Sequence, residues 1–306
     1  MRIPRPLAGV AALSLVLLAA GCGDRATVET PAAGLPEDYV ASVQAWRDRH
    51  EEDYRREYVT IAGLHLLEPG AYTIGSSPGN RLVISPRVPP VTGRVTVDDD
   101  GRVRYEPLPG VSVLFEDAPV EGPVILKEPD GSPAGELVIG NVRVVVHESG
   151  ERLWLRVRDP EAELATGFQG FSWSPIDPAY RVAARFVPDP EPRTFQVVNT
   201  FNDLTTYTSQ GVVEFELHGQ TLRLRPFTTR PGRFYFVFRD ASSGGETYAT
   251  GRFLYSDLLE DGTTVLDFNQ AYNPPCAFNP YTTCPIPLKE NVLPVKILAG
   301  ERDYAG

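Results

Sequence analysis

The chain has 306 residues, 40 acidic against 29 basic side chains, and a formal charge of −11. Such an acidic balance argues against nucleic-acid binding and offers no basic face to an anionic lipid surface. With 42% hydrophobic residues, the sequence can fill two small cores or one elongated core.

The N-terminus reads as an export signal spanning residues 1–21. Arg2 and Arg5 give a basic start, and Leu7 to Ala20 is a mainly apolar run, shorter than the roughly 20 residues a membrane-spanning helix needs. Leu18-Ala-Ala-Gly-Cys22 resembles a bacterial lipobox, which implies an acylated Cys22 as the first mature residue and the lipid bilayer as a partner. An ordinary signal peptide cut near Ala20 is the alternative. Residues 22–36 carry no apolar period and read as a flexible tether.

Residues 37–58 are expected to form an amphipathic helix. Val40, Val43, Trp46 and Tyr54 lie on one side, Arg47, Arg49, Glu51, Glu52, Arg55 and Arg56 on the other, with His50 in solvent. From residue 59 the pattern changes to short β runs separated by turn signals, giving a mainly β chain. Residues 59–159 form a first β unit and 160–306 a second. The latter includes separate strands at Val182–Val187 and Thr194–Val198 and a last one at Val295–Leu298.

Within the second unit, residues 267–291 form a coil rich in proline and asparagine, whose backbone lacks donors and must be held by side chains. It carries Cys276 and Cys284, an even pair that is a disulfide candidate in an exported protein; two buried free thiols are the alternative. No histidine lies near them and their spacing does not suit zinc, so no metal and no cofactor is expected.

Two resemblances follow from particular residues. Tyr58 to Gly70, Asp240-Ala-Ser-Ser-Gly, Thr247-Tyr-Ala-Thr-Gly-Arg-Phe-Leu254 and Leu266 to Phe278 together resemble the DUF1684 family, over about residues 40–304. That resemblance implies kinship without an activity. Pro69 to Gly75, Asn80 to Ile84 and Gly140 to Val146 resemble the strand order of a forkhead-associated (FHA) β-sandwich. FHA domains read phosphothreonine with an arginine that this chain replaces by Ser76, and residues 88–93 supply neither the serine nor the histidine of that readout.

The polar residues of the distinctive C-terminal motifs are the candidate site: Asp240, Glu246, Tyr248, Arg252, Asp267, Asn269, Tyr272 and Asn273. If they converge, an arginine fork and directional amides could hold a small ligand, a glycan or a protein. If Arg252 instead pairs with Asp267 in the interior, the asparagines cap the coil and the tyrosines are core rings, the cluster is scaffolding. A hydrolase using Asp240, Asp267 or Glu246 for acid–base chemistry, with Arg252 orienting substrate, is the competing function. His65, before a turn that could face the coil, is the best-placed histidine. No nucleophile elbow, zinc-protease motif, phosphate loop or dinucleotide fingerprint is present.

Overall fold

The computed structural model describes residues 35–304, so the export signal, Cys22 and nearly all of the expected tether lie outside the described residues. Among the described residues the chain is mainly β with one substantial helix near the start, as the sequence patterns lead one to expect.

Helix α1 covers Tyr39–Tyr54 and runs into a π-helical turn, Arg55–Val59. Its inward face is Tyr39, Val43, Arg47 and Tyr54, at the spacing that stacks residues on one side of a helix. Two expectations are corrected here. Val40 is 57% exposed, whereas Arg47 is 4% exposed; it donates to the carbonyl oxygens of Ser174 (3.0 Å) and Asn269 (3.1 Å) and lies over the Trp173 ring. Periodicity assigns an arginine to water, but a guanidinium that finds carbonyls and an aromatic face can be buried.

His50 is not in solvent either. Its ring stacks on Trp46 at 4.9 Å and lies 4.2 Å from Tyr54 and 4.5 Å from Tyr272, with Nε2 buried and unpartnered. Burial lowers its pKa to about 4, so the ring is neutral at pH 7.

Residues 61–158 form two sheets. One has six strands, ordered Ile61–Leu67, Arg152–Arg158, Val142–Ser149, Glu136–Ile139, Leu114–Phe115, Ala118–Pro119. The other has five, ordered Leu82–Val83, Gly70–Gly75, Gly93–Val97, Val103–Pro107, Val124–Lys127, and its first pair is parallel. Ile74, Val95 and Tyr105 of the second sheet share an apolar core with Leu137, Val144 and Leu155 of the first, so the sheets pack face to face.

The C-terminal half has a four-stranded sheet, ordered Gln220–Leu224, Leu204–Leu217, Arg181–Val198, Thr263–Asp267, and a three-stranded one, ordered Phe227–Arg230, Arg233–Phe238, Arg252–Asp257. The two short strands expected around residues 182–198 are one long strand. Its pairing shifts register between Pro188 and Arg193, where Pro188, Pro190 and Pro192 supply no ladder donors. The expected strand at 295–298 is not a ladder strand. Its carbonyls are taken by the Ala241 N–H at Val295 (2.9 Å) and by a guanidinium at Ile297, as described below.

Phe215, Phe236, Phe238, Leu266 and Phe268 fill the C-terminal core. A third cluster, largely aromatic, includes Tyr54, Phe168, Tyr235, Phe253, Tyr272 and Phe278, and it is where α1, the three-stranded sheet and the 267–291 coil meet.

Candidate functional site

Arg252 opens the strand Arg252–Asp257 and is fully buried. Its Nη2 donates to Asp240 Oδ2 at 2.8 Å and to the Ile297 carbonyl at 2.9 Å, and Nη1 donates to the Ala299 carbonyl. Asp240 in turn accepts from the Ser242 N–H (2.8 Å), the Ser242 hydroxyl and the Ile297 N–H (3.1 Å). Burial pulls the arginine pKa down, and the Asp240 carboxylate opposes it. Both side chains of this ion pair have no exposed surface, so the group is sealed from solvent.

Arg252 does not pair with Asp267. Asp267 Oδ1 accepts from the Tyr39 hydroxyl (3.0 Å) and from the backbone and side chain of Asn269 (both 3.1 Å), and burial raises its pKa. Asn269 also donates to the Asp177 carbonyl (2.8 Å) and accepts the Asp177 N–H (2.9 Å). These two residues fasten the start of the coil to Tyr39 of α1 and to the backbone at Asp177.

Asn273 and Glu301 form a separate lock. The Asn273 backbone and amide donate to the two oxygens of Glu301 at 2.8 and 2.9 Å, and the amide also reaches the Arg302 carbonyl at 2.7 Å. Burial pushes the Glu301 pKa up to about 8 against those hydrogen bonds and the nearby Arg252 charge. Tyr272 belongs to the aromatic cluster, Tyr248 donates to the Cys276 carbonyl (3.2 Å), and Glu246 stands on the surface in an ion pair with Lys296.

The eight candidates therefore do not converge: only Asp240 with Arg252 and Asp267 with Asn269 bond to one another, and Asn273, Tyr272, Tyr248 and Glu246 each have other partners. None of them lines the clefts at Asp203, at Tyr281 or at Pro69. His65 sits opposite Leu155 on an edge strand, its Nε2 buried without a partner and its pKa lowered by burial.

The disulfide expectation is corrected: Cys276 and Cys284 are free thiols. The Cys276 N–H points at the Cys284 sulfur at 3.3 Å. Hydrogen bonds with Cys284 and Tyr248 lower the Cys276 pKa, whereas burial drives that of Cys284 far up. Amides, not a covalent bridge, hold the coil.

Sequence reasoning overlooked Asn279 and Asn291. The Asn279 amide donates to the carbonyls of Tyr58 and Ile61, both at 2.8 Å, and so ties the coil to the N-terminal half. Asn291 donates to the carbonyls of Arg225 (2.9 Å) and Val237 (3.0 Å) and accepts the Arg225 N–H (2.8 Å). The repeated Asn-Pro pairs at 273 and 279 are the signal that could have marked Asn279.

Residues 166–302 match the family described as "Protein of unknown function (DUF1684)". Over that stretch the chain belongs to the DUF1684 family. The DUF1684 match starts well inside the span expected from the motifs, after the N-terminal sandwich. A solution NMR structure of an uncharacterized protein from Haloarcula marismortui is 31% identical; the alignment covers 47% of this chain and 82% of that one, with a TM-score of 0.39. No curated protein matches the chain significantly. All eight candidates fall inside the DUF1684 stretch. Its Asn269 and Asn279 nevertheless grip Tyr39, Arg47, Tyr58 and Ile61, which lie outside it.

Proposed function

We propose that the protein is an exported, lipid-anchored β module of the cell envelope that binds a ligand or partner and performs no chemistry at its C-terminal motif residues. The observation that carries this reading is the closure of the Arg252–Asp240 pair, both of whose side chains have no exposed surface. A hydrolase built on Asp240 and Arg252 would need them within reach of substrate. Here their hydrogen bonds go to each other, to Ser242 and to the backbone at Ile297 and Ala299, and the one group left over, Arg252 Nε, is buried. Carboxylates enclosed and bonded in this way act as scaffolding.

The N-terminal sandwich is FHA-like in this proposal, a reading its six- and five-stranded facing sheets support. Its phosphate readout is absent: past Ile74-Gly75, the N–H groups of Ser76 and Ser77 donate to the carbonyls of Pro89 and Pro90, each at 3.0 Å, so the two loops bond to each other.

Anchoring is tested by detergent phase partition of the full-length protein expressed in a lipoprotein-processing bacterial host. Wild type is expected in the detergent phase with a mass increase carried by Cys22, and Cys22→Ser in the aqueous phase. Wild-type protein in the aqueous phase, cleaved near Ala20 and unmodified, would overturn the anchored reading.

A further inference from the structure

Where the two halves of the molecule meet, a pair of turns face each other. One joins Val142–Ser149 to Arg152–Arg158, and the other joins Arg181–Val198 to Leu204–Leu217. Asn199 pins them together, its amide donating to the Ser149 hydroxyl at 2.7 Å while its carbonyl oxygen accepts the N–H groups of Phe201 (2.9 Å) and Asp203 (3.0 Å). Gly150 permits the approach: its φ is +60°, and a Cβ there would stand 2.5 Å from the Leu204 carbonyl oxygen. Beside this contact opens a cleft of about 640 Å³, lined among others by Glu151, Arg152, Gln196, Asn202, Asp203 and Thr206. That volume falls within the range of small-ligand sites, roughly 300–1,000 Å³.

Asp203 is the unusual member. Its side chain is 1% exposed, yet neither carboxylate oxygen accepts a hydrogen bond. Arg152 Nη1 lies 3.0 Å from Oδ1, which compensates the charge without an aligned hydrogen bond, and the Arg152 side chain is itself 51% exposed. Contrast Asp240, equally buried, whose oxygens accept from Arg252, Ser242 and Ile297. A buried carboxylate without donors is disfavoured unless something supplies them. Asp203 has a counter-charge in Arg152 but no aligned donor on Oδ1 and no partner at all on Oδ2.

We propose that this cleft is a binding site for a neutral, hydroxyl-rich ligand of the glycan class, with a vicinal diol donating to Asp203. A carboxylate has two acceptor oxygens, and adjacent hydroxyls present two donors to match them. A cationic amine would be set against Arg152, and an anion against Glu151 and Asp203. Gln196, Asn202 and Thr206 can each donate and accept, as hydroxyl groups do, and Gln196 and Thr206 already bond to each other at 2.9 Å. The half-exposed arm of Arg152 is the wall the ligand must displace: its guanidinium lies over Oδ1, and a shift of it would open that oxygen to a hydroxyl while keeping its charge at the rim. The proposal rests on the binding-module reading and gives that module its site and ligand class.

The test uses full-length protein, fluorescently labelled, on an array of neutral oligosaccharides, with spermidine and inorganic phosphate as the cationic and anionic probes in solution. Wild type is expected to be retained on neutral glycans and to ignore both ions. Calorimetry on a retained glycan is expected to show Asp203→Asn binding roughly ten- to a hundredfold more weakly, as for loss of hydrogen bonds to a charged group, with the unfolding midpoint preserved. Gln196→Ala, at an exposed position, provides the same weakening if Asp203→Asn does not fold. Absence of any retained neutral glycan, binding of spermidine or phosphate instead, or undiminished binding by the variants would overturn the site. Membrane partition of Cys22→Ser is unaffected by that outcome, so the two readings fail separately.

Discussion

Replacing Arg252 with alanine is expected to destabilise the protein by roughly 3–5 kcal/mol, the range for removing one partner of a buried ion pair. The variant leaves Asp240 charged in a place with no exposure, and it frees the carbonyls of Ile297 and Ala299 that the guanidinium held. Urea denaturation measures the loss as a lower midpoint at unchanged slope. The double variant Arg252→Met with Asp240→Asn, which removes both charges, is expected to recover part of it, because the uncompensated carboxylate dominates the single variant. Glu246→Ala is the control from the same motif region. Its carboxylate stands on the surface beside Lys296, and its removal is expected to leave the midpoint in place. Unchanged unfolding of Arg252→Ala, coupled to loss of binding, would return Arg252 to a ligand pocket.

Glu301→Gln is expected to move the pH of maximum stability upward. Burial raises the Glu301 pKa from 4.5 to about 8 in the folded protein. Between those values the folded state holds a proton that the unfolded chain releases, so this contribution is complete below pH 4.5 and is lost as pH rises through 8. Two half-buried histidines act in the opposite direction. His50 and His147 have pKa values lowered to about 4, so their contribution is present above pH 6.5 and is lost as pH falls toward 4. The glutamine keeps the shape and its one carbonyl oxygen can still accept one of the two Asn273 donors, while the decline between pH 4.5 and 8 disappears. The expected difference between the two proteins, read from urea midpoints at successive pH values, is roughly 2–4 kcal/mol across the window. Parallel pH profiles would mean that Glu301 is ionised in the folded protein at pH 7.

Much of the architecture was legible because alternation and turn residues act locally. The change from helix to strand near residue 60, the facing sheets and the irregular coil at 267–291 all follow from such patterns. What stayed hidden was the choice of partner. Arg252 finds Asp240 twelve positions away and not Asp267, a choice made by the fold of the 240–252 segment and invisible in spacing. Arg47 and Asn269 meet across 222 positions, so the charged side of the helix appeared to belong to water. His50 looked solvated for the same reason, although its ring completes an aromatic cluster drawn from the whole length of the chain. The thiols illustrate a different limit: composition and compartment suggest a bridge, yet Asn279, inside the loop it would close, already ties that loop to Tyr58 and Ile61. Asp203 carried no signal at all, since its peculiarity is a buried carboxylate with Arg152 beside it and no aligned hydrogen bond, which exists only in three dimensions.

The central claim is that side-chain amides and buried carboxylates turn a donor-poor coil into a fixed part of the scaffold. Amide hydrogen exchange over residues 267–291 tests it most directly. The account predicts slow exchange at the N–H groups of Asn273 and Asn291, which donate to the Glu301 carboxyl group and the Leu288 carbonyl, at rates comparable with those of the strand Arg233–Phe238. Exchange at the rate of an unstructured peptide throughout this coil, while that strand remains protected, would contradict it.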